Sequence, residues 1–332
     1  MSSKESEIIK YIKNLSESNT NLDNNIIKIG DDTTLVYSKN NHQLITTDAS
    51  VENTHFNINK ISPEDIGWKC AISNISDIAA MGGDPKNALV TLGIPESTEN
   101  IWVNSVMDGI HNALNKYGAN IVGGDVVKSK TIFINITLTG NPYINEKSEP
   151  IWLSRANAKP GDCIAVTGSL GASLNGLSLL DSSEEIRLNN PTWSKHIKPE
   201  ARVEIGKLAL SEGIRTGMDI SDGLVEDLNK LSLVSKVDME IYTNKIPIFS
   251  YLKSFLPETE SIDLALNSGE EYELILIGDE EKLNNIKSLS NIEISIIGKV
   301  TSTNISKPSL KIFSENMKEY SPKITPWSHF NE

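Results

Sequence analysis

Residues 62–93 read SPEDIGWKCAISNISDIAAMGGDPKNALVTLG and decide the fold class of this 332-residue chain. Ser62 followed by Pro63 is typical of a helix start, because the serine can cap the first turn and proline fits the first helical position. The helical pattern runs to about Met81 and stops at two glycines, after which residues 88–93 are apolar enough for a buried strand. A helix followed directly by a strand indicates a chain that alternates the two.

This alternation of helical and strand patterns continues along the rest of the chain. In residues 131–139 isoleucine and leucine occupy every second position, which predicts a strand with one face on a core. Residues 141–150 contain two prolines and show no periodicity, so we place a domain boundary there. The sequence therefore predicts an α/β (α+β) fold of two mixed α/β domains, residues 1–145 and 146–332, the second with a sheet flanked by helices.

The composition excludes several classes of protein. The chain has 31 basic and 44 acidic residues, a formal net charge of −13, which argues against a binder of nucleic-acid backbones. No apolar run approaches the roughly 20 residues that cross a membrane, and residues 1–7 lack the apolar core of a signal peptide. Cys70 and Cys163 are too far apart in sequence for a CxxC motif and are expected as free thiols. We therefore expect a cytoplasmic enzyme that binds neither membranes nor nucleic acids.

Aspartates recur where predicted strands end and loops begin, and one lies within a helix that otherwise consists of core residues. They are Asp31, Asp32, Asp48, Asp77, Asp125, Asp219 and Asp222. Two carboxylates about 4 Å apart repel by roughly 4 kcal/mol at an effective dielectric constant of 20, and no matching set of basic residues lies beside these positions. A hard divalent cation such as Mg²⁺ resolves that repulsion and commonly joins carboxylates to phosphates. Any one of these aspartates could instead cap a helix or a turn.

Glycines beside these aspartates suggest that backbone N–H groups approach phosphate oxygens. Gly123 and Gly124 precede Asp125 directly, although a glycine pair alone is a weak signal. The glycine-containing loop 168–173 lacks the G-x-G-x-x-G spacing of a dinucleotide site, and the sequence contains neither a P-loop nor the protein-kinase motifs. Phosphate binding is therefore expected to depend on the acidic residues and metal ions.

Four other features are candidates for substrate contacts. The five histidines show no zinc-binding spacing and most are expected on the surface, but His55 follows Asp48 closely. Arg155 could bind a phosphate or form a surface ion pair. The acidic residues 268–273 lead directly into a predicted strand, which hints at the edge of a cleft. Trp327 is either a core residue or a stacking platform for a ring.

Taken in order, these stretches resemble the thiamine-monophosphate kinase family, whose superfamily includes aminoimidazole-ribotide synthetase, selenophosphate synthetase and a carbamoyl-dehydrating hydrogenase maturation protein. The resemblance covers nearly the whole chain. Its motifs lie at residues 29–32, 46–48, 51–56, 71–82, 121–125, 159–162, 166–168, 219–223 and 268–274. The last of them, SGEEYEL, resembles the GGEDYEL of this family, and the reactive cysteine or selenocysteine that selenophosphate synthetases need near the N-terminus is missing.

The resemblance implies transfer of the γ-phosphoryl group of ATP to thiamine monophosphate, which gives thiamine diphosphate and ADP. It implies several Mg²⁺ ions, and the ionised phosphate acceptor makes direct in-line transfer without a covalent intermediate the expected route. It also implies a homodimer, in which residues 1–145 form the dimerising ATP- and Mg²⁺-binding domain and residues 146–332 complete the nucleotide and substrate site. Two alternatives stay open: another ATP-using member of the superfamily, or a non-catalytic ATP-binding sensor.

The resemblance also implies roles for individual residues. The metal ligands would be Asp32, Thr46, Thr47, Asp48, Asp77, Asp125, Asp219 and Asp222. The ATP contacts would be Gly124, Asp125, Arg155 and Ser221, and the substrate contacts His55, Glu270 and Trp327. Val126 and Val127 depart from the threonine that often follows Gly-Gly-Asp in the family, and Ser268 and Glu271 depart from glycine and aspartate.

Overall fold

The computed structural model describes residues 7, 9–14, 31–38 and 41–324. Helices and strands alternate along the described chain and build two larger sheets, so the predicted mixed α/β class is confirmed. The two sheets draw their strands from residues 34–141 and 163–313. At the predicted boundary segment, two short strands form a separate antiparallel pair, β6 (Tyr143–Ile144) and β7 (Pro150–Ile151).

The first sheet has five strands in the order β1-β2-β5-β3-β4. These are β1 (Thr34–Ser38), β2 (Asn41–Val51), β3 (Asp84–Ile94), β4 (Asn120–Lys128) and β5 (Phe133–Asn141). Only β3 and β4 pair in parallel, and the other neighbours are antiparallel. Among the described strands β4 pairs with β3 alone, so it forms an edge of this sheet.

The predicted helix after Ser62 is confirmed as α1 (Pro63–Ala80) and is the central element of the molecule. The Ser62 hydroxyl accepts a hydrogen bond from the Asp65 backbone N–H at 3.1 Å, and Met81 caps the C-terminal end of the helix. The next helix along the chain, α2 (Asn100–Lys116), packs along α1. Of the 18 residues of α1, 13 are buried, because helices and strands cover it on most sides.

The second sheet has six strands in the order β13-β10-β12-β8-β11-β9. They are β8 (Cys163–Thr167), β9 (Thr216–Asp219), β10 (Val237–Tyr242), β11 (Leu274–Gly278), β12 (Ile294–Thr303) and β13 (Leu310–Phe313). Its helices are α3 (Ala172–Ser178), α4 (Glu184–Asn189), α5 (Pro191–Ile197), α6 (Val203–Ser211), α7 (Leu224–Ser235), α8 (Ser250–Lys253), α9 (Glu258–Asn267) and α10 (Glu280–Leu289). A short 3₁₀ turn, Thr243–Lys245, follows β10.

The helix α1 joins the two halves of the molecule. It contacts β2 and β5 of the first sheet, and β9 and α6 of the second. Gly206 on α6 allows this close approach, because a Cβ atom there would lie 2.1 Å from the Ala79 carbonyl oxygen. Side chains on α1 can therefore meet residues from both halves.

In the part of the chain that the structure covers, no helix combines the length and apolar character that a membrane crossing requires.

Candidate active site

Three carboxylates from different elements meet where α1 crosses between the sheets. Asp32 lies just before β1, Asp77 lies near the end of α1, and Asp219 is the last residue of β9. One carboxylate oxygen of each lies within 4.8 Å of the other two. The structure thus brings together three of the predicted metal ligands, which we call the aspartate triad.

The electrostatics of the aspartate triad favour a bound cation. Burial raises the pKa of Asp77 well above its usual value, and repulsion from Asp48 and Asp219 adds to this. Burial and the charge of Asp32 raise the pKa of Asp219 in the same direction. A hard divalent ion relieves such repulsion, and an all-oxygen donor set is the one that Mg²⁺ prefers. The residues present therefore fit Mg²⁺.

Arg155, predicted to contact ATP, lies beside the aspartate triad and is paired with it. Its guanidinium group donates hydrogen bonds to both carboxylate oxygens of Asp32. Its backbone N–H donates to Oδ1 of Asp31 at 3.3 Å. Burial, followed by repulsion from Asp32, raises the pKa of Asp31 to about 6. Arg155 thus supplies positive charge on one side of the site.

Hydroxyl and amide groups hold the carboxylates in place. The Thr46 hydroxyl donates to Oδ2 of Asp77, and the Ser76 hydroxyl donates to Oδ2 of Asp219 at 2.6 Å. The Asn74 side-chain oxygen accepts a hydrogen bond from the Asp48 backbone N–H at 3.2 Å. Our sequence reasoning missed Asn74 and Ser76. The signal was available, because Asn74 and Ser76 lie in the apolar second half of the helix, where buried polar groups need partners.

Asp48 and Asp125 do not lie at strand ends, so that expectation was wrong. Asp48 is inside β2, which runs on to Val51, and Asp125 is inside β4. The Asp125 carboxylate is exposed and accepts the Val126 N–H at 2.9 Å. β4 is polar and glycine-rich at this point yet continues, because its pairing with β3 extends to Lys128.

Thr47 lies on the opposite face of β2 from its neighbours. Side chains alternate along a strand, so Thr46 and Asp48 share the face toward α1 and Thr47 points away from it. The Thr47 hydroxyl lies 3.0 Å from that of Thr137 and 3.3 Å from the Asn135 side-chain oxygen on β5. The structure therefore does not bring the Thr47 hydroxyl to the aspartate triad.

Gly124, predicted to contact ATP, has a structural reason to be glycine. A Cβ atom at this position would lie 1.8 Å from the Val90 carbonyl oxygen on β3. The close pairing of the two strands therefore accounts for the residue type without a ligand.

The loop between β9 and α7 carries Ser221 and Asp222 and is held by groups that the sequence reasoning missed. One carboxylate oxygen of the buried Asp227 accepts the backbone N–H groups of Ser221, Asp222 and Gly223, each at 3.1 Å. The Lys230 ammonium group bridges Asp227 and Asp222. An acidic residue in the first turn of the following helix was the available signal.

A cavity of about 560 Å³ extends from the aspartate triad along α1. That volume lies in the range of small-molecule sites. Its acidic end holds Asp48, Asp77, Asp219 and Asp222, and Ser221 lies beside them. Its apolar wall consists of Phe56, Ile61, Ile66, Leu174, Leu177 and Tyr272. Among the polar groups further from the triad are His55, Lys69 and Glu270. The cavity thus joins a charged end to an apolar one.

The carboxylates of Glu270 and Glu271, in the acidic segment 268–273, point in different directions. Glu270 and Tyr272 both have φ near +54°, and both line the cavity. Hydrogen bonds of 2.8 and 3.0 Å from their backbone N–H groups to Ser221 and Ile220 hold this unusual conformation. Glu271 points elsewhere and accepts the backbone N–H of Gly171 at 2.8 Å. The strand that was predicted to follow this segment begins at Leu274, directly after it.

Two histidines approach this segment. His55, a predicted substrate contact, lines the cavity, and its Nδ1 accepts the Val51 N–H at 3.0 Å. His196 is fully buried on α5, which contrasts with the surface position expected for most histidines. Burial, with the nearby Lys69 charge, lowers the pKa of His196 to about 3, so its ring is neutral. Trp327 lies outside the described residues.

Comparisons with known proteins agree with this geometry. The AIR synthase related family matches in two parts, its N-terminal domain over residues 30–141 and its C-terminal domain over residues 159–311. The thiamine-monophosphate kinase of Buchnera aphidicola subsp. Acyrthosiphon pisum is 36% identical over 336 residues, which cover 98% of this chain and 99% of the relative. That of Bacillus subtilis is 34% identical over 302 residues, or 88% and 90% of the two chains.

A solved structure confirms the fold. It is described as AaThiL complexed with AMPPCP and TMP, is 32% identical in sequence, and superposes with a TM-score of 0.81 over 99% of both chains. Identity of this order over nearly complete chains, with the same fold, places the sequence in one family of phosphotransferases. This chain therefore belongs to the thiamine-monophosphate kinase family.

Proposed function

We propose that this chain transfers the γ-phosphoryl group of ATP to thiamine monophosphate and releases thiamine diphosphate and ADP. The observation that carries the proposal is the cavity that joins the aspartate triad to an apolar end, which also contains Glu270. We call this end, with its wall of Phe56, Ile61, Ile66, Leu174, Leu177 and Tyr272, the apolar chamber. The charged end suits phosphate groups and metal ions, and the apolar end suits an aromatic ring system. The related structure with AMPPCP, an ATP analogue, and TMP supports the same pair of substrates.

We propose Mg²⁺ ions as the cofactor, held by Asp32, Asp77 and Asp219 with Asp48 beside them. When bound, Mg²⁺ neutralises negative charge on the phosphate oxygens. The carboxylates would hold the ions, and Thr46 and Ser76 orient the Asp77 and Asp219 carboxylates through their hydroxyl groups. The roles of Thr47, Asp125 and Asp222 as further ligands, and of Gly124, Asp125, Arg155 and Ser221 in ATP binding, rest on the family resemblance.

The proposed transfer is direct and in line, without a covalent enzyme intermediate. The acceptor is itself a phosphate that is ionised near neutral pH, so the protein needs no strong base. The only thiol that lines the described cavity belongs to Cys70, and burial raises its pKa to about 11. It therefore stays protonated and is a poor nucleophile at neutral pH. The protein contributes alignment and charge compensation.

We propose that the ring end of thiamine monophosphate occupies the apolar chamber. Glu270 offers a carboxylate to an amino or cationic ring, and His55 lies close enough to influence the charge of Glu270. Phe56 and Tyr272 supply aromatic surface. A stacking role for Trp327 stays a prediction from the resemblance.

We further propose that two copies assemble through β4, with residues 1–145 as the dimerising domain and residues 146–332 completing the site. β4 is an edge strand in the described part of the sheet and exposes Val122, Val126 and Val127. Exposed apolar side chains on a strand edge favour a protein partner. We place the reaction in the cytoplasm, because the co-substrate is ATP.

The test is a product assay with purified protein, ATP, MgCl₂ and thiamine monophosphate, in which thiamine diphosphate is measured by chromatography. We expect product with Mg²⁺ and none after addition of EDTA. ATP binding by calorimetry without any product would rule out this acceptor and direct the search to ribotide and carbamoyl substrates. Product formation that is indifferent to EDTA would overturn the metal proposal.

A further inference from the structure

Lys69 is a buried lysine whose ammonium group has two defined partners. Only 7% of the residue is exposed, and it lies in the middle of α1. Its Nζ atom is 2.8 Å from Oε2 of Glu270 and 3.2 Å from Nε2 of His196. Lysine is rarely buried unless it is paired, so these contacts account for its position.

The position of Lys69 along α1 separates it from the phosphate-binding end of the cavity. Ile66, Lys69, Ser73 and Asp77 all line the cavity and follow one another at intervals of three and four residues, so they share one face of the helix. Lys69 precedes Asp77 by eight residues, which is about 12 Å along a helix axis. The lysine therefore lies at the ring end of the cavity.

His196 limits the directions in which Lys69 can donate. An ammonium group can only donate hydrogen bonds, so Nε2 of the neutral ring must be the acceptor. Nδ1 then carries the proton and lies 3.1 Å from the Ser173 hydroxyl oxygen, which can accept it. This hydrogen-bond network fixes the ring, and the ring in turn directs the lysine toward Glu270.

We propose that Lys69 is a positioning residue for the acceptor: it holds the Glu270 carboxylate ionised and oriented toward the amino-bearing or cationic ring of the substrate, and His196 fixes Lys69 in that role. The inference rests on the proposed function, because it assumes that the ring end of thiamine monophosphate meets Glu270. Neither Lys69 nor His196 stood among the residues predicted from the sequence.

The charge of Glu270 depends on the groups that face it. These are Lys69, His55, His196, Cys70 and Tyr272. Burial is the largest single effect on the pKa of Glu270 and would raise it, but the charge and hydrogen bond of Lys69, together with His196 and His55, lower this pKa below its ordinary value. Without Lys69 the burial effect remains, so the pKa rises and the carboxyl takes up a proton as the pH falls.

The experiment compares steady-state kinetics of the full chain and its Lys69→Met variant with Mg²⁺, ATP and thiamine monophosphate. We expect the KM for thiamine monophosphate to rise about tenfold or more, as for a lost charge-assisted hydrogen bond, with the KM for ATP within twofold. The KM for the acceptor should also rise more steeply in the variant than in the wild type as the pH falls, because the Glu270 carboxyl takes up a proton more readily without Lys69. A purely structural role would not produce this pH dependence.

A double variant tests whether Lys69 acts through Glu270. We expect Glu270→Gln together with Lys69→Met to bind the acceptor within twofold of Glu270→Gln alone, because the lysine has no carboxylate left to hold. Lys207→Met is the matched control, since it breaks a partly buried pair with Asp84 outside the cavity and should leave both KM values unchanged. If the increases in the KM for the acceptor caused by the two single substitutions multiply in the double variant, the two residues act independently and the proposal is overturned.

If Lys69→Met does not fold, His196→Phe carries the test, because it removes both ring nitrogens and leaves Lys69 and Glu270 in place. We expect a rise of at least threefold in the KM for the acceptor with the KM for ATP unchanged. Equal changes in both KM values, or no change, would refute the positioning role. A wild-type protein that forms no thiamine diphosphate would instead refute the proposed function.

Discussion

Asp77 takes part in several features of the candidate site at once. It accepts a hydrogen bond from Thr46, belongs to the aspartate triad, and lines the cavity. Its charge is costly without a cation, since burial and its acidic neighbours raise its pKa. The same group therefore weakens the metal-free fold and is a proposed ligand of the metal.

Asp77→Asn should consequently have opposite effects on stability and on activity. We expect the metal-free variant to melt at the same temperature as the wild type or higher, because one repelling charge is gone. We also expect the stabilisation by MgCl₂ to disappear, because Mg²⁺ stabilises only a folded protein that binds it. For the same reason we expect kcat to fall at least about a hundredfold. Thermal melting with and without Mg²⁺, combined with the product assay, checks both.

The control for this variant is Asp65→Asn, an acidic residue on the same helix near its start. Its hydrogen bond with Ser62 belongs to the helix cap, far from the aspartate triad. It should keep the full shift with Mg²⁺. An Asp77→Asn protein that melts with a normal Mg²⁺-dependent shift would remove Asp77 from the metal site.

The residues of the site differ in how far the sequence could predict them. Asp77 and Asp219 were predictable, because they adjoin apolar residues and a charge there requires a partner, whereas Asp32 was predicted from the motif at residues 29–32. Lys69 and His196 were not, because their roles depend on contacts over 127 and 201 positions along the chain. No local pattern encodes a hydrogen bond between distant segments.

At the scale of elements, one carboxylate joins the segment 268–273 to the start of α3. Glu271 accepts the N–H groups of Gly171 and Ser173 and the hydroxyl of Ser268. Burial nevertheless dominates and raises the pKa of Glu271 to about 7. Near neutral pH the Glu271 carboxyl is therefore protonated in some molecules and ionised in others.

Glu271→Gln should change how stability depends on pH. A carboxyl whose pKa is higher in the folded than in the unfolded state binds more protons when folded, so the wild type loses stability as the pH rises from about 4.5 to about 7. The amide cannot ionise, so the variant should lose less stability across that range and melt above the wild type at pH 8. Melting curves at pH 5, 6, 7 and 8 measure this. Parallel curves for the two proteins would contradict it.

The close pairing of β3 with β4 leaves no room for a side chain at Gly124. A Cβ atom on Gly124 would meet the Val90 carbonyl oxygen at 1.8 Å, whereas one on the adjacent Gly123 would meet only the tip of the Leu89 side chain at 3.2 Å. Because the two glycines are neighbours on one strand, an alanine substitution at Gly123 is a suitable control for one at Gly124.

Gly124→Ala should destabilise the protein by about 1–3 kcal/mol, because the backbone of β4 must move away from β3. Gly123→Ala should cost much less, since a flexible side chain can yield. Denaturant unfolding of both variants gives the comparison. Equal stability of the two alanine variants would show that the β3–β4 pairing does not require Gly124.

At the scale of the molecule, the sequence predicted the fold class but not its assembly. The switch from helical to strand periodicity at Gly82 and Gly83 was enough to indicate α/β, as were the alternating residues of β5. The position of α1 between the two sheets was not accessible, because strand order depends on pairing between segments far apart. That arrangement is what brings Asp32, Asp77 and Asp219 together.

The proposed dimer is a property of the molecule as a whole, and β4 is where it can be tested. Val126 is 64% exposed and Val122 is 59% exposed on a strand that has only β3 as a described neighbour. We expect light scattering to give twice the chain mass of 36.5 kDa. Val126→Glu should give a monomer at micromolar concentration, because a carboxylate facing its copy across the interface repels it and loses its water.

Leu233→Glu is the control, since Leu233 is 60% exposed on α7, away from β4, and this variant should remain a dimer. Product assays on the same samples then decide what the assembly does. If ATP binds near the interface, as the family resemblance implies, monomeric Val126→Glu should lose activity while keeping its melting temperature within a few degrees. A wild-type protein that is monomeric and fully active, or a Val126→Glu variant that remains dimeric, would contradict the proposal that β4 forms the dimer interface.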